Sequence, residues 1–224
     1  MRSFAWFPVL LLGACASTDA VFDYERFYES APYTVVVLPP TNLSVDAEAP
    51  RFFLSTITQP LVNRGYYVIP VEVVADMMAA EGLADGGALQ QVRPQKFREH
   101  FGADAVLYID IKSWDTSYVF LASSVTVAMD YRLVHTDTGE TLWQESAQQT
   151  VTSDSGGGSG LGGLIAGVIN AAVTAAATDY VPLARQANLQ GLRTLPPGPY
   201  HPRFEEERAR NLKAARAAAK EQPR

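Results

Sequence analysis

The stretch from Tyr33 to Val71 constrains the fold more than any other part of the chain. Tyr33-Thr34-Val35-Val36-Val37-Leu38 is a continuous, largely β-branched run closed by Pro39-Pro40-Thr41-Asn42. Side chains alternate across a strand, so a run that is apolar at odd and even positions alike needs cover on both faces. After the loop Ser44 to Pro50 the period changes. Phe53, Ile57, Leu61 and Phe52, Thr56 recur every three or four residues, which predicts a helix from Arg51 to about Asn63 with Gly65 as its C-terminal cap. Pro60 lies near that end and is expected to kink or shorten the helix. Tyr66-Tyr67-Val68-Ile69-Pro70-Val71 then reads as a second strand. A strand–helix–strand unit joined by short turns places its strands parallel.

The remaining elements follow the same logic. Val73 to Ala80 predicts a short helix and Gly82, Gly86 and Gly87 a loop. Arg93 to Phe101 predicts a helix with Pro94 in its first turn and Gly102 past its end. Ala105 to Ile111 reads as the third strand and Asp115 to Tyr118 as a turn. Val125 to Val134 alternates, Asp137-Thr138-Gly139-Glu140 reads as a hairpin turn, and Thr141-Leu142-Trp143-Gln144-Glu145 begins the returning strand. The expected fold class is α/β: a mixed sheet with parallel first strands and an antiparallel meander, helices packed on it.

The N-terminus carries a different signal. Met1-Arg2 is followed by the short apolar run Phe4 to Leu12, then Gly13, Ala14 and Cys15, the one cysteine of the chain. The run is too short to span a bilayer and has secretory flanks. Leu12-Gly13-Ala14-Cys15 closes a Leu-x-x-Cys pattern that resembles the bacterial lipobox. That resemblance implies cleavage before Cys15, an S-diacylglycerol on its thiol and an N-acyl chain such as palmitate on its new amino group. One acyl chain holds marginally and two or more hold firmly. Ala16 and Ser17 resemble outer-membrane lipoproteins, whose inner-membrane counterparts carry an aspartate after the cysteine. The expected organisation is a signal peptide over 1–14, a tether over 15–32 with Phe22, Tyr24, Phe27 and Tyr28 available to pack back, an α/β domain over 33–195 and a charged helical tail over 196–224.

Charge is unevenly placed. The chain carries −6, and removing Arg2 leaves −7. From His201 onward seven Lys+Arg face four Asp+Glu, so Cys15 to Tyr200 holds about −10. Nucleic-acid binding rests on clustered cations, which such a body lacks. The tail predicts a helix over Phe204 to Lys220, with Glu205-Glu206-Glu207 favourable at its start and Glu206 four residues before Arg210. It is expected to be solvated, its contact with anionic headgroups being the lesser reading.

Gly158-Ser159-Gly160-Leu161-Gly162-Gly163 matches G-x-G-x-x-G, and Asp179 lies beyond it. No strand–helix–strand unit follows, so it reads as a glycine hinge and not a dinucleotide site. Leu161 to Thr178 is uncharged and rich in Ala and Gly. Three readings stay open for it: a helix buried on the sheet, a partner-facing helix used in self-association or a channel, and a membrane span. His100, His135 and His201 have no ligand spacing, so no metal site is expected and they read as solvated. Asp104 and Asp110 flank a strand without marking an acid/base pair. No catalytic residue, cofactor or cofactor-binding residue is expected.

Several stretches together resemble one family. They are Val37 to Asn42, Pro60 with Gly65 to Val71, Phe101 to Tyr108, Tyr131-Arg132-Leu133, Gly139 to Trp143 and the glycine-rich helix start. They look like the outer-membrane lipoproteins of unknown function typified by a Neisseria vaccine-candidate lipoprotein. The Gly102-Ala103-Asp104-Ala105 strand start and the Thr138-Gly139-Glu140-Thr141-Leu142-Trp143 hairpin also resemble the periplasmic domain of CsgG-type secretion lipoproteins and the amino-terminal domain of TolB. The resemblance implies an α/β fold and an envelope role without catalysis, and transfers Cys15 alone as a functional residue. The expectation is therefore a lipid-anchored outer-membrane protein facing the periplasm. Its partner would be another envelope protein, a secretion lipoprotein or a peptidoglycan synthase, or a second copy of itself. The alternative is an envelope enzyme or small-ligand binder acting on cell-wall fragments.

Overall fold

The structure, a computed structural model, describes residues 24–119, 122–153 and 181–221. Its centre is β1 (Thr34–Val37), sandwiched as the sequence requires. Val35 and Val37 meet Phe53, Ile57 and Leu61 on one side of the sheet, while Val36 and Leu38 meet Val74, Met78 and Phe97 on the other. Pro39-Pro40 interrupts the ladder because proline has no N–H to donate. Pairing resumes along the same edge of the next strand as β2 (Thr41–Asn42).

The helix α2 (Ala49–Asn63) turns the Phe53–Ile57–Leu61 stripe onto β1. Pro60 sits inside it and the helix runs on to Asn63. Its end is a Schellman motif: the Gly65 N–H donates to the Val62 carbonyl at 2.9 Å and the Tyr66 N–H to the Leu61 carbonyl at 3.3 Å. Gly65 has φ +83° and lies against the backbone of His201, so a side chain there meets both strain and a wall. Strand β3 (Tyr67–Val68) pairs parallel with β1 as expected, but is shorter than the predicted run, because Pro70 ends the ladder and caps α3 (Val71–Ala80).

The glycine loop contains one more helix. Asp85 accepts a bond from the Ala88 N–H and caps α4 (Gly86–Leu89), whose Leu89 is buried. Then comes α5 (Pro94–Phe101), ending at Gly102 as predicted. Together α3, α4 and α5 cover the second face.

The long strands are β4 (Ala105–Val119), β5 (Ala122–His135) and β6 (Thr141–Ser153), an antiparallel meander with the expected hairpin at Gly139. The sheet order is β3-β1-β4-β5-β6, with β1 parallel to both β3 and β4. The predicted turn at Asp115–Tyr118 is instead strand. A register shift between Ile111 and Ser113 changes the phase, so Ile111 and then Trp114 face the core. That break in alternation is what resembles a turn in the sequence.

The first face is closed by α1 (Glu25–Ser30), α6 (Val181–Gly191) and α7 (Phe204–Glu221). Residues 25–32 were expected to belong to the tether, yet Phe27 and Tyr28 are fully buried in the main core. The tail begins docked as well. Leu195 to Gly198 are buried, the Tyr66 hydroxyl donates to the Pro196 carbonyl at 2.6 Å, and Phe204 lies in the core. The expectation of a solvated tail therefore fails for its start, because an apolar Phe204 and a proline strap close over Tyr28 and Tyr66. The ion pairs at its first turns are Arg203–Glu207 and Arg208–Glu205, not the anticipated Glu206–Arg210.

Three elements are joined through a buried polar chain. The Tyr131 hydroxyl (β5) donates to Asn188 Oδ1 (α6) at 2.8 Å. Asn188 Nδ2 donates to Thr56 Oγ1 (α2) at 2.9 Å, and Thr56 Oγ1 donates to the Phe53 carbonyl at 3.0 Å. Burial pushes the Tyr131 hydroxyl pKa far above its ordinary range.

Candidate functional site

Among the described residues the helices do not cover the whole sheet. On β4, β5 and β6 the odd positions Ile109, Tyr131 and Trp143 enter the core, which forces the even positions to the opposite face. Val134 of β5 is still covered by the second core, but from Arg132 to Asp130 and across β6 that face has no helix on it among the described residues. Register aligns its side chains into two rungs. Tyr108, Arg132 and Gln144 are directly opposite one another, and so are Asp110, Asp130 and Ser146.

The rungs differ in chemistry. In the first, the Arg132 guanidinium stacks over the Tyr108 ring, 4.6 Å from its centroid, and Tyr108 in turn makes a T-shaped contact with Phe97. Burial raises the Tyr108 pKa, and the Arg132 charge works against that rise. In the second rung two carboxylates face each other across an antiparallel pair, an arrangement that costs stability. Each has its own compensation. Gln90 Nε2 donates to Asp110 Oδ1 at 2.6 Å; Ser146 Oγ donates to Asp130 Oδ1 at 2.7 Å and Lys112 Nζ lies 3.2 Å from Asp130 Oδ2. The two rungs floor an open groove of about 490 Å³. A fold does not need opposed carboxylates there, and such local conflicts are expected at functional or strained sites. Chemically the groove offers a flat cation, two anions and amide and hydroxyl donors: equipment for binding charged groups.

The residues singled out from sequence fall elsewhere. Cys15, the signal, the G-x-G-x-x-G stretch, Leu161 to Thr178 and Asp179 lie outside the described residues. Asp104 is structural: its carboxylate accepts the Tyr33 and Thr34 N–H groups, both at 3.0 Å, and pairs with Arg98. Asp110 belongs to the groove and does not approach Asp104. His100 is exposed, and His135 and His201 are half-buried. Among the described residues, no group of three or more His, Cys, Asp or Glu is placed to hold a metal, and no helix is long and apolar enough to cross a membrane. Sequence reading missed Arg132, Asp130, Gln144 and Ser146. The alternation of β5 located the wet face, but the cross-strand alignment depends on a register fixed only on folding.

The comparisons with known proteins agree on one family. The family model "Putative lipoprotein GNA1162-like" matches residues 22–198. "Putative lipoprotein NMB1124/NMB1162" of Neisseria meningitidis serogroup B (strain ATCC BAA-335 / MC58) is 39% identical over 163 residues, covering 72% of this chain and 76% of that one. The crystal structure of lipoprotein GNA1162 from Neisseria meningitidis superposes with a TM-score of 0.54 at 36% identity, covering 64% of this chain and 100% of that one. The chain belongs to the GNA1162-like lipoprotein family.

Proposed function

We propose that this lipoprotein is a non-catalytic outer-membrane protein that faces the periplasm and binds another envelope protein through the open face of β5 and β6 and the edge of β4 beside it. In this reading residues 1–14 are the signal removed before Cys15, and Cys15 carries the S-diacylglycerol and the N-acyl chain. Because α1 is part of the body, the tether is residues 15–23. The partner class is a secretion lipoprotein or a peptidoglycan synthase. The observation that carries the reading is the pair of polar rungs. A rigid sheet presents Arg132, Asp110 and Asp130 at fixed spacing, the kind of charge pattern that selects a partner and sets its register.

A photoreactive residue placed at Gln144 or Ser146 in cells tests this. The expected result is an adduct with a second envelope protein; correctly localised protein that yields no adduct from either position sinks the reading. The anchor has its own test. A Cys15→Ala chain should leave the membrane fraction without detergent, and intact mass of the native protein should carry three acyl chains' worth of added lipid on Cys15 (diacylglycerol plus N-acyl). An unmodified terminus overturns it.

The groove itself favours a second reading, a small-ligand-binding or catalytic lipoprotein acting on cell-wall fragments, since convergent polar groups line a volume of about 490 Å³. Calorimetric titration with soluble muropeptides separates the two. Saturable heat that disappears in Arg132→Gln supports the ligand, and no heat supports the protein partner.

A further inference from the structure

On the helix-covered side of the sheet lies a second charged depression, of about 310 Å³, between α1, the end of α2, the strap after α6 and α7. Three guanidinium groups line it from three separate segments: Arg64 after α2, Arg193 on the strap and Arg210 on α7. We propose that this depression receives the anionic phosphate headgroup of a membrane lipid of the phosphatidylglycerol type, seating the body against the membrane that holds its anchor.

The charge is only partly compensated. Among the described residues none of the three arginines pairs with a carboxylate, whereas Arg26, Arg51, Arg98, Arg203 and Arg208 all do. Glu207 is the one carboxylate on the lining, and it is already engaged by Arg203 at 3.7 Å and by the Tyr28 hydroxyl at 3.4 Å. The lining therefore carries three positive charges against one negative, in a mature body that is strongly acidic. Arg64 is half-buried. Burial lowers its pKa; Tyr66 and Glu207 oppose that, and Arg203 and Arg193 add to it. An incoming anion relieves that repulsion. Guanidinium forks match phosphate oxygens in geometry, and Asn211 adds an amide to the rim.

Position supplies the occupant. Tyr24 is on the lining and is the first described residue, nine positions after Cys15. Nine residues reach about 30 Å at most. A lipid on Cys15, which is the reading proposed above and on which this inference rests, keeps the depression within one short tether of a headgroup layer. Attraction to an anionic surface fades over roughly 10 Å, so that closeness is what lets the three arginines act.

The test uses the mature lipidated protein in nanodiscs of phosphatidylcholine, with and without phosphatidylglycerol, read by hydrogen–deuterium exchange. Peptides spanning 60–66, 190–197 and 205–212 should exchange more slowly in the phosphatidylglycerol discs. Each arginine near an anionic surface contributes roughly a fivefold effect, so Arg193→Gln with Arg210→Gln should remove protection on the order of tenfold or more. Arg193→Lys with Arg210→Lys, which keeps the charge but not the forks, should retain part of it. Equal protection in both kinds of disc, or loss in both double variants alike, overturns the proposal. Inorganic phosphate added to detergent-solubilised protein is the arm for a free anion; if it protects the same peptides as well as the discs do, the lipid assignment is wrong. Intact mass of the same preparation reports the anchor separately. If Cys15 proves unacylated, the anchor fails, and the depression is then judged by co-sedimentation of the chain with phosphatidylglycerol vesicles, where failure to sediment overturns it too.

Discussion

Asn188→Leu should be among the most damaging single changes in this protein. Asn188 is fully buried and bonded at both ends of its amide. Leucine keeps the branch at Cγ but is bulkier than asparagine, so overpacking of this buried site adds to the polar cost. The Tyr131 hydroxyl loses its oxygen acceptor and keeps only Met129 Sδ at 3.7 Å. Leaving such a buried donor unsatisfied costs about 1–3 kcal/mol. Thr56 Oγ1 loses an incoming donor but still donates to the Phe53 carbonyl, a loss of about 0.5–1 kcal/mol. The sum is about 2–4 kcal/mol. Tyr131→Phe alone strands Asn188 Oδ1 and should cost about 1–2 kcal/mol. The two changes share one bond, so the double variant should fall short of their sum by about 1–2 kcal/mol. Urea unfolding followed by the fluorescence of buried Trp114 and Trp143 measures this. With a slope near ~2–3 kcal/mol per molar, the Asn188→Leu midpoint should drop by on the order of 1 M at unchanged slope. An unmoved midpoint, or energies that add within about 0.5 kcal/mol, would show that the chain of bonds does not tie α2, β5 and α6 together.

Other perturbations probe other joints. Gly65→Ala forces a left-handed conformation on a residue with a Cβ, about 1–2 kcal/mol. It also pushes His201 away, loosening the bonds from Gly198 N–H to the Arg64 carbonyl and from Tyr200 N–H to the Gly65 carbonyl; about 3 kcal/mol in total is expected from chemical unfolding, and a wild-type midpoint refutes it. Alkaline pH should destabilise. Burial holds the Tyr28 hydroxyl at about 12 and pushes Tyr66 and Tyr131 up from the ordinary value of 10.0. Groups with a raised folded pKa contribute fully below pH 10 and lose that contribution as pH rises through the folded value. Unfolding midpoints should therefore fall between about pH 10 and 12 together with the tyrosinate absorbance that Tyr28→Phe, Tyr66→Phe and Tyr131→Phe variants lack; reversible ionisation of those three tyrosines near pH 10 in folded protein contradicts the burial argument. Asp110→Asn removes the carboxylate opposite Asp130 while keeping an acceptor for Gln90, and should stabilise by about 0.2–1 kcal/mol yet weaken partner crosslinking at Ser146. Lower stability with unchanged crosslinking refutes the assignment of the rung to binding.

How far the sequence can be read differs from element to element. β1, α2 and α5 were readable because each carries a local code: a doubly apolar run, a stripe at helical spacing, a proline at one end and a glycine at the other. β4 was cut short because its bulge changes the phase of alternation, and a phase change is indistinguishable from a turn until Trp114 is seen in the core. The short α4 was hidden by two glycines that argue against a helix, and is sustained by the Asp85 cap and by Leu89 in the second core. Of the groove, alternation exposed the face and nothing in the sequence aligned its rungs.

By itself the sequence determined the α/β class, the parallel start, the antiparallel finish and the membership that its strand stretches and Gly139 to Trp143 hairpin pointed to. These depend on periodicity and on backbone chemistry within a few residues. The tertiary structure alone decided that α1 and the start of α7 belong to the body, that Asp110 meets Asp130 and not Asp104, and that Arg64, Arg193 and Arg210 share one depression. Each of these brings together residues far apart in the chain, and their meeting is set by strand register and by the burial of Phe27, Tyr28 and Phe204, which no local pattern encodes.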